Sequence, residues 1–186
     1  MEIRTLRTFS LLTCLFSAAV GSGCGSSPSS ASSTPLDPTA FGLKYKISGL
    51  SGWTEDPSGY WSGTDLVAAG IDGGNVAYDN NGFRQGMFET LNGPDPQTCD
   101  LRAMDFGDDA HATKMFTDAV TSHSATVAIP PFGTSVAAAG VVIGGLNAVA
   151  HFKASYFEVA LTGYADQNLA ISDAALFLQA FQTKTN

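Results

Sequence analysis

The first 38 residues divide the chain before any fold can be considered. Arg4 and Arg7 precede residues 8–20, which carry no charge, and residues 25–38 read GSSPSSASSTPLDP. A positive start followed by a short apolar run and small residues is typical of a secretory signal peptide. A Ser/Pro-rich stretch with so little apolar content cannot join a hydrophobic core. The globular fold must therefore be built from about 150 residues, 38–186, which we predict to be a single domain.

The junction between the apolar run and the Ser/Pro-rich stretch carries a cysteine. Small residues 21–23 lead directly into Cys24, and Gly25 follows it. This junction resembles the lipobox of bacterial lipoproteins, although Gly21 stands where that family usually has Leu. The resemblance implies that residues 1–23 are a lipoprotein signal peptide, that Cys24 becomes an acylated N-terminus, and that residues 24–37 form a tether. Cys14 is a competing acceptor, but it would leave too short an apolar region.

The implied partner is the lipid bilayer, reached through acyl chains on Cys24. The apolar run has about 13 residues, fewer than the roughly 20 that a helix needs to span a bilayer. Two or three acyl chains would hold a protein stably at a membrane, where one chain is marginal. The residue after Cys24 is Gly25 and not Asp, which in bacteria with two membranes resembles the default pattern for outer-membrane sorting. We therefore predict a bacterial cell-envelope protein, facing the periplasm or the exterior.

Composition excludes several other classes. The chain has 9 Lys+Arg against 17 Asp+Glu, a net charge of −8, and a nucleic-acid binder needs a basic face instead. A hydrophobic fraction of 44% is too high for a disordered chain. Three cysteines cannot make a disulfide-dense scaffold. Cys99 is left without a partner in the exported domain and is expected to be a buried, inert strand residue.

Hydrophobic periodicity and turn signals predict an α+β domain with a mainly antiparallel sheet and about three helices. The clearest unit is a hairpin of residues 83–91 and 98–106, joined by the turn sequence NGPDPQ. The predicted helices cover residues 65–80, 109–121 and 173–183, capped by Thr64, Asp108 and Ser172. Further strands are predicted at 125–129, 141–143, 148–153 and 156–161. Residues 41–50 are expected to be extended or irregular, and 55–63 to form a loop.

Known catalytic and cofactor-binding motifs are missing from the sequence. It contains no HExxH, CxxC, GxSxG, SxxK, GxxxxGK[ST] or GxGxxG pattern, and we expect neither a cofactor nor a metal. His111 lies beside Asp108 and Asp109, where neutralising local acid is the simpler role. A surface position is expected for His123, and a satisfied structural role for His151.

Residues 71–83 form the most unusual segment. Two glycines, Gly73 and Gly74, fall inside the predicted helix, where they cost about 2 kcal/mol relative to two alanines. Three explanations remain open. The glycines could allow close packing of another element, they could belong to a binding surface lined by Asp72, Asn75 and Tyr78, or nearby oxygen donors could bind calcium. The last fits least well, because the D-x-[DN]-x-[DN]-G frame is not met.

The same segment carries a second resemblance. The run D-L-V-A-A-G-I-D-G-G-N-V-A-Y-x-x-x-G-F is similar to the I-N-G-G-A-x-x-Y helix of an uncharacterised bacterial envelope family of unknown function. Residues 101–115 and 142–159 also resemble later parts of that family, so the similarity covers about 120 residues. Asp72 and Asn75 depart from its usual Asn and Ala. The family has no established catalytic residues, so the resemblance implies a fold and an envelope setting but no site.

Two functional hypotheses follow. The first is a non-enzymatic binding or protein-interaction module, displayed from a membrane and meeting an envelope protein or a small molecule. The second is an envelope enzyme, or an accessory subunit of one, with an unrecognised active site. Under the first hypothesis a ligand would be bound at one place by residues with polar or aromatic groups and by the two glycines: Trp53, Trp61, Asp72, Gly73, Gly74, Asn75 and Tyr78.

Overall fold

The computed structural model describes residues 35–70, 75–123 and 125–186. Within them the elements follow in the order α1 (Pro38–Tyr45), β1 (Thr54–Gly63), α2 (Asn75–Asn80), β2 (Gln85–Asn92), β3 (Thr98–Asp105), α3 (Asp109–Ser122), β4 (Thr126–Ala128), β5 (Ala137–Val142), β6 (Gly145–Phe152), β7 (Ser155–Thr162) and α4 (Gln167–Thr185). The strands form one sheet in the order β1-β2-β3-β7-β6-β5-β4. Every pairing is antiparallel, so the predicted α+β fold is confirmed.

The sheet separates two layers of helices, which we use to name its faces. The α4 face carries the larger core, where α1 and α4 cover side chains such as Phe157, Val159 and Leu161. The α3 face carries a smaller core, where Tyr78 of α2 and Met115 and Phe116 of α3 lie against the sheet. Neighbouring residues of a strand point to opposite faces, so each strand contributes to both layers.

The central hairpin and α3 agree with the sequence prediction. β2 and β3 pair over their full length, from Gln85 opposite Asp105 to Asn92 opposite Thr98. The carboxylate of Asp108 caps α3 by accepting a hydrogen bond from the backbone N–H of His111 at 2.9 Å. The three short strands predicted near the C-terminus are present as β5, β6 and β7, each longer than predicted.

The N-terminal elements differ from the prediction. Residues predicted to be extended form α1, where Asp37 caps the helix and Pro38 occupies its first turn, both standard helix-start signals. Residues predicted to be a loop form β1, an edge strand whose register shifts between Glu55 and Tyr60. Edge strands tolerate the proline and glycine of this segment, because one side of the strand has no ladder to complete.

The helix predicted for residues 65–80 is not continuous. Residues 66–70 form turns, and Gly70 has a φ of +74°, a conformation that ends a right-handed helix. Within the described part of this range, only Asn75–Asn80 is helical. The last helix begins earlier than predicted, since Asp166 caps it and Ser172 lies inside, where its hydroxyl donates to the carbonyl of Asn168. Among the described residues, none of the helices is long and apolar enough to cross a membrane.

Candidate functional site

Part of the predicted ligand site lies outside the described residues. Asp72, Gly73 and Gly74 belong to the segment that the structure does not describe, and the same is true of Cys24, whose acylation stays a prediction. Asn75 is the first residue of α2. Tyr78, one helical turn later, is buried on the α3 face of the sheet.

The two tryptophans of the predicted site lie on opposite faces. Trp53 packs against Phe177 of α4, with ring centroids 5.0 Å apart. Trp61 belongs to the core on the α3 face and sits opposite Phe88 in the β1–β2 ladder. The sheet therefore separates them, and Tyr78 shares a face only with Trp61. The structure does not bring the predicted set together at one place.

Trp53 lines a shallow depression at the margin of the α4 face. The depression encloses about 270 Å³ including the solvent at its mouth. Its lining consists mostly of apolar side chains and backbone: Ile47, Ser48, Gly49, Leu50, Trp53, Glu55 and Leu91. The carboxylate of Glu55 is already held by the ammonium of Lys46 at 2.7 Å. Few unpaired polar groups remain here to orient a ligand. The shape of the depression makes it a candidate ligand site, but its lining residues do not support that role.

The strongest polar cluster lies in the middle of the α3 face. Arg102 of β3 stands directly opposite Glu158 of β7, and its Nη1 lies 2.9 Å from Glu158 Oε1. The hydroxyl of Tyr78 donates to the other oxygen, Oε2, at 3.1 Å. One carboxylate thus binds a strand neighbour and a helix at once, and it holds α2 against the sheet.

Burial and charge act together in this cluster. The side chains of Arg102 and Glu158 are 21% and 9% exposed. The adjacent Glu158 carboxylate raises the pKa of Arg102 further above its usual range, so the guanidinium is charged at every physiological pH. Burial, followed by the charge of Glu158, raises the pKa of the Tyr78 hydroxyl. Tyr78 therefore remains a neutral donor, and it is not poised to act as a base.

A row of partly exposed polar residues runs beside this cluster. Thr90, Asp100, Ala160, Asn147 and Gly140 are successive partners across β2, β3, β7, β6 and β5. The hydroxyl of Thr90 donates to Asp100 Oδ1 at 2.8 Å. Ala160 has the small side chain between Asp100 and Asn147. The residues of this row from Thr90 to Asn147 are partly exposed, and Gly140 is buried. Helices α2 and α3 therefore leave this part of the α3 face open.

We call this open region the Arg102 patch. Its members share one face, two adjacent rows of the sheet and partial exposure, apart from the more deeply buried Glu158: Trp61, Phe88, Thr90, Asp100, Arg102, Asn147, Glu158 and Ala160. The guanidinium of Arg102 lies over the Phe88 ring, 5.6 Å from its centroid, which is a cation–π arrangement. Trp61 continues the same row at the next strand.

Three buried polar atoms in and beside the patch have no hydrogen-bond partner among the described residues: Arg102 Nε, Asn147 Oδ1 and His123 Nδ1. His123 ends α3 and its ring lies against Gly140, where an added Cβ would come within 2.6 Å of the ring. Half-burial, contrary to the expected surface position, lowers the pKa of His123. Buried polar groups in proteins are nearly always paired, but Glu89 Oε1 and Gln85 Oε1, on the same side of β2 as Met87, are unpaired as well. These buried atoms therefore do not mark one face as a ligand site.

The other histidines do not form a catalytic arrangement. His111 Nδ1 pairs with Asp108 at 2.8 Å on the exposed first turn of α3. His151 Nδ1 lies 3.3 Å from the Thr113 hydroxyl and 3.8 Å from Asp109, while Nε2 faces the carbonyl of Ser135 at 3.1 Å. A triad needs the nucleophile and the orienting acid on different ring nitrogens. Here both share Nδ1, which agrees with the structural role expected for His151.

The groups still to be placed are the Cys99 thiol and the possible metal ligands. Cys99 is fully buried in β3, and burial raises the pKa of its thiol well above the usual range, so the thiol is unreactive as expected. Among the residues that the structure describes, no group of three or more His, Cys, Asp or Glu side chains is placed to hold a metal ion.

Sequence reasoning missed the Arg102 patch, although a signal was present. Arg102 and Glu158 are charged residues in the middle of predicted strands, TCDLRAMDF and YFEVAL. Buried charges are rarely found unless they are paired, so each one calls for a partner. Which residue supplies it depends on the pairing of β3 with β7, and that pairing follows from the fold of the whole chain.

Comparisons with known proteins add little to this geometry. No protein-family model matches the chain, and no curated protein matches it. The chain is similar in structure to the extracellular domain of PknH from Mycobacterium tuberculosis, with a TM-score of 0.49 and 11% sequence identity over 81% of this chain and 92% of that one. At this level of similarity no property of that protein is carried over to this one.

Proposed function

We propose that this protein is a non-enzymatic binding module of a bacterial envelope, anchored to the membrane by acyl chains on Cys24. The sequence supports the anchor through the apolar run, the small residues before Cys24 and the Ser/Pro-rich tether that follows. The site supports binding, because its polar groups are arranged to contact a ligand. The histidine geometry described above supplies no nucleophile with a base and an orienting acid.

The observation that carries the binding proposal is the Arg102 patch. On the α4 face most strand residues are apolar and covered by helices, with Glu89 as a buried exception. A mostly apolar surface is the usual state of a sheet face in a packed core. The α3 face has a charged pair, an amide and a carboxylate on its central strands, and all of these side chains except Glu158 are partly exposed. Folding alone gains little from such groups, since apolar residues would stabilise the sheet at least as well. A ligand-binding role explains why they stand there.

The anchoring half of the proposal is tested by acylation in cells. With radiolabelled palmitate, the wild-type chain should be labelled and should partition with membranes, whereas Cys24→Ser should be unlabelled and either uncleaved or released. Cys14→Ser is the matched control, because it removes the competing cysteine and should change nothing. Equal labelling of wild type and Cys24→Ser would refute the anchor, and loss of label in Cys14→Ser would move it to residue 14.

The binding half is tested separately, by following the patch itself while envelope components are added to the purified full-length protein. Isotope-labelled protein shows the side-chain N–H signals of Arg102 and Asn147 directly. We expect a fraction of envelope extract to shift these signals. If every fraction leaves them in place while the protein stays folded, the patch is not a binding surface.

A further inference from the structure

The hairpin of β5 and β6 ends in a turn that is both apolar and exposed. β5 runs to Val142 and β6 begins at Gly145, so only Ile143 and Gly144 form the turn. Ile143 is fully exposed, Val142 is 43% exposed and Val141 is 36% exposed. Two-residue turns of hairpins usually carry Asn-Gly or Asp-Gly, and runs of about three exposed apolar residues are avoided in water unless they serve a function. We call Val141, Val142 and Ile143 the β5–β6 tip.

The backbone of the tip is held in place by its neighbours. Val142 pairs with Gly145 in the β5–β6 ladder. The carbonyl of Gly144 accepts a hydrogen bond from the N–H of Tyr164, in the β7–α4 connection, at 3.0 Å. The three apolar side chains are therefore presented by an ordered backbone, which reduces the entropy that is lost when such a surface binds.

The sequence around the tip carries no charge. Residues 119–152 contain no Asp, Glu, Lys or Arg. The turn between β2 and β3 and the start of α4 lie at the same end of the sheet, and each carries an exposed acid, Asp95 and Asp166. Anionic lipids attract basic segments, so they would add no attraction here. The tip suits a contact that depends on apolar burial alone.

The size of the tip favours a bilayer over a protein as its partner. A stable protein interface covers about 800 Å² on each partner, far more than three side chains can supply. Binding at a membrane surface grows with whatever apolar area is buried. Acyl chains on Cys24 would already keep the domain beside the bilayer, so the contact of the tip becomes an intramolecular step and needs little affinity of its own.

The chain between the anchor and the domain is long enough to allow this contact. The first helix, α1, lies near the opposite end of the sheet, where the hydroxyl of Tyr45 is 3.4 Å from that of Ser155. Ser155 pairs with Phe152, at the end of β6 away from the tip. From end to end β6 crosses about 23 Å, whereas a chain as long as residues 24–37 reaches up to about 50 Å. The bilayer that anchors Cys24 is therefore within reach of the tip.

We propose that the β5–β6 tip inserts its three side chains into the interfacial layer of the bilayer that holds the acyl chains of Cys24. This assignment rests on the proposed anchor and gives the domain a second membrane contact. β4 pairs with β5 from Ala138 to Gly140, so Val141 and Val142 extend beyond β4. Their outer backbone groups need water or headgroups as partners, which limits insertion to the outer 5–10 Å or about that depth.

The test places the full-length protein, purified from bacterial cells, in phosphatidylcholine vesicles that contain spin-labelled phosphatidylcholine. An environment-sensitive fluorophore is attached to Ile143→Cys and, as the matched control, to Lys153→Cys in the hairpin at the other end of β6. Cys99 is buried and should not react, which the unsubstituted protein verifies. We expect a blue-shifted emission at residue 143 and quenching by the spin label at least twofold stronger than at residue 153.

A second substitution in the labelled protein tests whether apolar burial causes the insertion. Val142→Asp should lower the quenching at residue 143 to the level at residue 153, because a carboxylate resists transfer out of water. Val142→Ser should lower it in the same direction and replaces Val142→Asp if circular dichroism shows that variant to be poorly folded. Quenching that is unchanged in both variants would overturn the proposal.

Flotation of the vesicles separates this proposal from the anchor on which it rests. Protein that does not float with vesicles refutes the anchor and the tip contact together. Protein that floats but is quenched equally at residues 143 and 153 refutes the tip contact alone. Quenching that requires added phosphatidylglycerol would replace apolar insertion by electrostatic attraction. Shielding of residue 143 from iodide that rises with protein density, without quenching by lipid, would make a second copy of this chain the partner instead.

Discussion

The two faces of the sheet are built from the same strands but follow different rules. On the α4 face, residues 0–2% exposed such as Met87, Leu101 and Phe157 pack beneath two helices, and aromatic rings contact one another in a continuous series. On the α3 face, one half is a small core and the other half carries the Arg102 patch. Apolar burial stabilises in proportion to the area removed from water, while an ion pair at the surface of a core contributes little net. The contrast assigns most of the stability to the α4 face, while our proposal places binding on the α3 face.

The largest expected effect falls on the α4 face. Phe157 is fully buried and its ring lies 4.7 Å from that of Phe181 and 5.3 Å from that of Tyr45. Phe157→Ala leaves a cavity that these rings cannot fill, so we expect the free energy of unfolding to fall by about 3–5 kcal/mol. Urea unfolding followed by circular dichroism measures this. If the free energy of unfolding falls by less than about 1 kcal/mol, the α4 face is not the main source of stability.

A smaller effect is expected from the charged pair on the α3 face. Glu158→Gln leaves the half-buried guanidinium of Arg102 without its counter-charge. Breaking a fully buried pair costs about 3–5 kcal/mol, and the partial exposure of Arg102 reduces the expected loss to about 2 kcal/mol. The double variant Arg102→Met/Glu158→Met should recover most of it, because no charge is then left unpaired. If the double variant is less stable than the single one, the pair itself stabilises the fold and the contrast between the faces weakens.

Titration should distinguish the faces by the sign of their pH dependence. On the α4 face, Glu89 is 1% exposed and accepts a hydrogen bond from the N–H of Ile47 at 2.8 Å. Burial raises its pKa above the ordinary 4.5, so the folded state retains a proton that the unfolded state has released. Its contribution to stability is therefore present below pH 4.5 and is lost as the pH rises through the folded pKa. Glu89→Gln should flatten this loss in unfolding curves measured at several pH values, and an unchanged slope would show that Glu89 is solvated.

His123 on the α3 face should have the opposite sign. Burial against Gly140 lowers its pKa below the ordinary 6.5, so between the folded pKa and pH 6.5 the unfolded state binds a proton that the folded state does not. Stability from this site is therefore complete above pH 6.5 and falls as the pH drops through that interval. His123→Gln should reduce this fall, and Thr126→Ser on the neighbouring strand serves as a control. A fall that persists in His123→Gln would assign it to other groups.

Elements of the fold were predicted correctly where the sequence pattern that specifies them lies within a few consecutive residues. The β2–β3 hairpin and the Asp108 cap are each specified by such a short segment, and both were predicted correctly. α1 was missed because residues 41–50 were expected to be extended or irregular, although Asp37 and Pro38 mark a helix start. β1 was missed because its Pro and Gly read as a loop, and only its edge position makes them tolerable.

The candidate site was less predictable than the fold. Arg102 and Glu158 are distant in sequence and meet because β7 pairs with β3 after three intervening strands. Trp53 and Trp61, close in sequence, are placed on opposite sides of the sheet by the same arrangement. Residue types alone suggest which groups could bind a ligand, but only the register decides which of them share a face.

The account is tested most directly by two neighbours on β6 that point to opposite faces, Leu146 and Asn147. The measurement is the affinity of full-length Asn147→Leu for the envelope fraction that shifts the patch signals, taken beside its free energy of unfolding and that of Leu146→Ala. We predict that Asn147→Leu loses at least tenfold in affinity and keeps its stability within about 1 kcal/mol, whereas Leu146→Ala loses about 2–5 kcal/mol and still binds where it is folded. Wild-type affinity in Asn147→Leu, or a greater loss of stability there than in Leu146→Ala, would contradict the division of roles between the two faces.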